Sequence, residues 1–128
     1  MNDQTTGGKM EEHLTEHKKH IRKRKIQLPK KLIILSVEWD ILYFDKQIDV
    51  DEDKEEHLFG QIAFENNTIR VFRGKRKRER IFLTIFHEWV HIVLALMDYR
   101  DAFTTIDEER FVHAISNALN DLFWRNLA

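Results

Sequence analysis

The stretch Ile81-Phe82-Leu83-Thr84-Ile85-Phe86-His87-Glu88-Trp89-Val90-His91-Ile92-Val93-Leu94-Ala95-Leu96-Met97 decides the fold. It contains no Gly or Pro and is long enough for a helix of about 17 residues. Apolar side chains occupy nearly its whole circumference, and a helix that is apolar all round is buried. It is short for a membrane span, and Thr84, His87, Glu88 and His91 interrupt it. It therefore belongs at the centre of a soluble core. Those four polar residues follow i, i+3, i+4, i+7 spacing and form one stripe. Buried polar groups without partners are costly, so the stripe must be satisfied by something.

A metal ion satisfies it well. His87-Glu88-Trp89-Val90-His91 is an HExxH sequence, and histidines four apart lie about 40° apart and one turn along, so both rings can reach one Zn²⁺. Glu88 lies beside them but is not placed as a ligand; it can hold and deprotonate a water at the metal. The competing reading is a pair of core histidines hydrogen-bonded to other groups. A chance HExxH is expected in roughly one in several hundred chains of this length, and the buried stripe makes it rarer still. Zinc follows from a ligand set of imidazole and carboxylate.

Composition bounds the rest. The chain has 128 residues, enough for one small domain, and an apolar fraction of 42% with nine Phe and three Trp can build a core. A net charge of −1 gives no global pull toward nucleic acid. The absence of Cys excludes disulfides and thiolate zinc sites. Neither a signal peptide nor a long apolar run is present, so the expected location is the cytoplasm, away from any membrane.

In chain order, residues 1–30 read as a disordered or partly helical basic leader. Its basic run, 18–31, is a solvated arm that could touch nucleic acid or an acidic partner. It lacks aromatic residues, so base stacking is not suggested. Pro29 marks the entry to the ordered domain, 31–128. Lys31 to Phe44 is rich in β-branched and aromatic residues and reads as one or two strands. Asp49, Asp51 and Asp53 imitate the start of a calcium loop. Lys54 and Gly60 stand where that loop needs Gly and Glu, so residues 45–56 read as an exposed acidic loop. Leu58–Phe64 and Thr68–Phe72, joined through Glu65-Asn66-Asn67, form a β-hairpin. The Thr68–Phe72 strand could offer its edge to an extended peptide. A second basic segment, 73–80, leads into the central helix. Beyond Met97, Thr104, Thr105 or Asp107 caps a last helix, about 106–125, with Phe111, Val112, Ile115, Leu119, Leu122 and Phe123 as its core stripe.

A catalytic zinc takes three protein ligands. An extended HExxHxxGxxH motif would need Gly at 94 and His at 97; Leu94 and Met97 exclude it. The third ligand is then a carboxylate from the last helix. The apolar stripe centres near Glu108. Glu109 instead shares a face with Val112, His113 and Ser116, where a small residue permits close packing on the histidine helix. Glu109 is favoured, with Glu108 the alternative. His113 and Tyr99 are candidates for a transition-state donor or a partner of the ligands.

Strands, a hairpin ending Ile69-Arg70-Val71-Phe72, the segment Thr84-Ile85-Phe86-His87-Glu88-Trp89-Val90-His91 and a closing helix Glu109-Arg110-Phe111-Val112-His113-Ala114-Ile115-Ser116 together resemble something known. They are similar to small gluzincin metallopeptidase domains of phages and prophages, of the ImmA/IrrE group. The resemblance covers about residues 31–125. It implies an α+β, minimal zincin-like fold: a small antiparallel or mixed sheet, with its hairpin, packed on a buried HExxH helix and a C-terminal helix. It also implies zinc held by His87 and His91, and Glu88 as general base. In that group's pattern the ligand Glu is followed by Ala-Asn at +3 and +4; here Val112 and His113 stand there. The expected function is zinc-dependent hydrolysis of peptide bonds in a protein or peptide substrate. The alternative is a zinc-stabilised regulatory module that binds DNA or an acidic partner through 18–31 and 73–80.

Overall fold

Two strands arise from the β-branched and aromatic run: β1, Lys31–Ile34, and β2, Val37–Phe44. They pair antiparallel across the two-residue turn Leu35-Ser36, whose φ values of 48° and 69° suit the twist of a tight hairpin. This is a computed structural model describing residues 26–99, 101 and 103–127. Residues 1–25 of the expected leader lie outside the described residues. The compact unit of interest is Leu28–Arg125.

The short helix α1, Gln47–Val50, follows β2. The expected hairpin is then present as β3, Gly60–Ala63, antiparallel to β4, Thr68–Phe72. Its turn is a 3₁₀ segment closed by Asn67 at φ 50°, the left-handed conformation that Asn tolerates. The sheet order is β1-β2-β4-β3, with β2 and β4 parallel, so the fold is α+β with a mixed four-stranded sheet. This order corrects one expectation. β4 is interior and paired on both sides, so its edge is not free for a peptide; among the described residues the edge strand near the hairpin is β3.

The central helix α2 spans Arg78–Leu96, taking up the last residues of the basic segment as its first turn. It lies against the sheet face carrying Trp39, Ile41, Ile69 and Val71, which bury with Ile81, Ile85 and Ile92. Alternation along β2 and β4 puts those residues on one face, the period-two pattern of a half-covered sheet. The last helix α3, Thr105–Leu122, is capped by the Thr104 hydroxyl accepting from Asp107 N–H and is continued by a π-helical turn, Phe123–Leu127. α3 packs on α2 through Val90, Leu94 and Val112. Its core stripe differs from expectation: Val112 and Ser116 are buried, whereas Phe111, Ile115 and Leu122 are exposed. The close approach needs the small Ser116, 1% exposed, and turns the larger apolar residues outward.

The acidic loop is also not simply exposed. Asp51 is 4% exposed. Its Oδ2 accepts from Glu55 and Glu56 N–H at 3.1 and 2.9 Å, and its Oδ1 from Asp53 N–H at 3.0 Å and Gln61 Nε2 at 3.2 Å. Backbone N–H groups, that of Asp53 first, hold this carboxyl below its ordinary range. Calcium is therefore not what this carboxylate serves; it ties the loop to β3. A group with a lowered folded value stabilises above its unfolded value and loses that contribution as the pH falls through the folded one. Asp51→Asn, which sets an NH₂ donor against donors, should lower the melting temperature at pH 7. The gap from wild type should narrow as the pH drops below about 4. An equal gap at both pH values would show that the carboxylate's charge is not what the loop uses.

Candidate metal centre

The polar stripe of α2 faces the cleft between β3 and the first turns of α3. Thr84 and Glu88 are buried, and His87 and His91 are partly exposed. His87, Glu88 and His91 each offer a donor atom within 4.8 Å of the others, and this group could hold a metal ion.

α3 brings two carboxylates to the histidines, and they do different things. Glu108, with its side chain 13% exposed, accepts from His91 Nδ1 at 2.8 Å. Glu109, 55% exposed, sets Oε1 2.8 Å from His91 Nε2 and Oε2 3.7 Å from His87 Nε2. A carboxylate only accepts, so Glu108 holds a ring proton of His91 on Nδ1, while Glu109 meets the other ring nitrogen. Burial first, then the neighbouring His91, pushes the pKa of His87 down, which keeps that ring neutral at pH 7. His91 thus stands between two carboxylates, one of which also approaches His87, and this gathering of negative charge calls for a positive charge on the Nε2 side. A proton on His91 answers one contact; a divalent cation answers both. The donor set of two nitrogens and one carboxylate oxygen fits such a cation.

Glu88 behaves differently from Glu108 and Glu109. It is 8% exposed, and among the described residues no donor hydrogen-bonds to its carboxylate. Burial, helped by the charge of Glu109, pushes its pKa up from 4.5 to about 7. That rise corresponds to roughly 3 kcal/mol of disfavoured ionisation, so the group takes up a proton readily near neutral pH.

Gly60 makes room for this carboxylate. A Cβ there would lie 2.6 Å from Glu88 Oε2 and 2.8 Å from Thr84 Cγ2. In the sequence Gly60 serves only to exclude a calcium loop, although a lone Gly inside a strand pattern does signal a close approach. Arg76 is likewise read there only as part of a basic connector. Its guanidinium donates to Phe72 O at 2.8 Å, Arg80 O at 2.9 Å and Thr84 Oγ1 at 2.9 Å, which satisfies the first polar residue of the stripe.

Two open grooves flank the histidines along β3. One, about 610 Å³, runs past Ile62, Phe64, His91 and Glu109; the other, about 640 Å³, runs past Phe59, Gly60, His87 and His113. His113 thus reaches the site region. Tyr99, 54% exposed after the end of α2, lines neither groove. β3 is the strand next to both. Phe59 O accepts from Phe72 N–H, so by antiparallel alternation Phe59, Gln61 and Ala63 turn their backbone groups to β4, and Gly60 and Ile62 turn theirs outward.

No helix among the described residues is long and apolar enough to cross a membrane. No protein-family model matches the chain, and neither a curated protein nor a solved structure is significantly similar to it.

Proposed function

We propose that the chain is a zinc-dependent metallopeptidase of gluzincin type, with His87, His91 and Glu109 as metal ligands and Glu88 as general base. The observation that carries this reading is the gap shared by His87 Nε2, His91 Nε2 and the Glu109 carboxylate, beside a buried carboxylate and under the edge strand β3. Zinc held there supplies the Lewis acidity that makes water a nucleophile near neutral pH and polarises a carbonyl.

The chain's own residues do the rest. Outward N–H and C=O groups of Gly60 and Ile62 bind an extended peptide as an added strand, which positions the scissile bond without demanding a particular sequence. Glu88 accepts the proton of the attacking water and passes it to the leaving amine. Its apolar slot suits both halves of that task, since neither protonation state is strongly favoured. Glu108 positions His91 through Nδ1. His113 is the residue at hand to donate to the oxygen on which negative charge develops.

Elemental analysis tests the metal half. Protein purified without a His tag or added metal should carry about one zinc per chain, and the His87→Ala, His91→Ala double variant none. Hydrolysis of a mixed peptide pool should disappear with a chelator and return with zinc. A folded wild-type protein that neither carries nor takes up zinc would reduce His87 and His91 to core polar residues and end the peptidase reading.

A further inference from the structure

The groove on the His87 side is lined by Arg76 and Arg80 and, among the described residues, by no carboxylate. Arg76 spends its hydrogen bonds on two carbonyls and a hydroxyl, all neutral, and its guanidinium lies 4.8 Å from the centre of the Phe59 ring. Arg80 is exposed on the first turn of α2 and faces the same groove. Among the described residues neither arginine has a carboxylate partner. Burial and the charge of Arg80 both weaken the hold of Arg76 on its proton, as expected for two cations set close together. The other groove is walled by Asp101, Glu108 and Glu109. The cleft is therefore basic at the Gly60 end of β3 and acidic at the Phe64 end.

We propose that the basic groove receives an acidic side chain of the peptide laid along β3, so that the preferred substrate is a segment with Asp or Glu just past the scissile bond on the His87 side. The inference rests on the peptidase reading for the placement of the peptide. Antiparallel addition to β3, the stronger pairing, runs the peptide from the Phe64 end to the Gly60 end and puts the acidic residue C-terminal to the cleaved bond. A carboxylate there meets the positive charge of Arg76, whose guanidinium is held in place by its three acceptors beside the Phe59 ring, and the exposed guanidinium of Arg80, whose fork can bind it.

The test uses full-length, zinc-loaded Glu88→Gln protein and short fluorescein-labelled peptides of alternating Ala and Thr with one central Glu, Gln or Lys. Binding is read by fluorescence anisotropy. The Glu peptide should bind about tenfold tighter than the Gln peptide, with Lys weakest, and the preference should shrink with added salt. Arg80→Glu, with an unchanged melting temperature, should invert the order of Glu and Lys, and Arg80→Gln should flatten it. Equal binding of all three peptides, no binding of any, or a Glu preference that survives Arg80→Glu overturns the proposal. Displacement of the Glu peptide by a single-stranded oligonucleotide whose affinity depends equally on Arg80 also overturns it, and assigns the groove to nucleic acid. Cleavage of the same peptides by the wild-type protein is scored separately. Acidic preference without cleavage keeps the basic groove as a site for acidic peptides and sinks the peptidase reading; cleavage without preference keeps the peptidase reading and overturns the proposal.

Discussion

Glu88→Gln should lose between about 10²- and 10⁴-fold in peptide hydrolysis while keeping its zinc. The amide has the shape of the carboxylate and fits the same slot between Gly60 and Thr84, so folding and metal binding have no reason to change. What is lost is the ability to take a proton from water and return it to the amine. Because Glu88 is buried and has no hydrogen-bond donor among the described residues, the substitution also removes the cost of a desolvated charge, and the variant should melt no lower than wild type. Gly60→Ala approaches the same residue from the other side. Its Cβ would meet Glu88 Oε2 at 2.6 Å and Thr84 Cγ2 at 2.8 Å, forcing the carboxylate out of its position. Turnover should fall at least about tenfold, again with zinc retained, since a small misplacement of a reacting group is expensive. Full activity in Glu88→Gln would remove Glu88 from the mechanism and with it the general-base account.

The second large effect separates the two carboxylates of α3. Glu109→Gln takes away the group facing both Nε2 atoms and should leave the protein with substoichiometric zinc after dialysis. Glu108→Gln keeps an acceptor for His91 Nδ1 but removes its charge, and should weaken zinc by roughly 10–100-fold while leaving the site fillable. Competition against a chromophoric chelator measures both. If Glu108→Gln empties the site and Glu109→Gln does not, the roles are reversed and Glu108 is the ligand. Stability gives an independent readout. Glu108 is the more enclosed of the pair, with 13% against 55% side-chain exposure, so its replacement should cost more in melting temperature of the metal-free protein.

The neighbouring positions 108 and 109 show where a one-dimensional reading reaches its limit. Helical periodicity put Glu108 toward the core and put Glu109 on the face of Val112 and Ser116. Both statements describe the molecule, since Glu108 is the more buried and Val112 and Ser116 are the residues that α3 buries against α2. Periodicity fixes the direction of a side chain from its own helix axis. Which ring nitrogen that side chain meets depends on how far α3 is shifted and rotated on α2, and that is decided by packing around Ser116.

The residues themselves determined the central helix, its single polar stripe, the hairpin ending in β4 and the carboxylates that follow. Each is a local pattern: apolar side chains at 3.6- or 2-residue period, a cap, an Asn that accepts positive φ. Only the tertiary structure decided that β3 and not β4 is the edge strand, because strand order is a matter of partners far apart in sequence. It alone joined Gly60 to Glu88 where β3 meets α2, Arg76 of the connector to Thr84, and Asp51 of the acidic loop to Gln61. These contacts cross from one element to another, where no period within either element reaches, and they turn a row of polar side chains on one helix into a site.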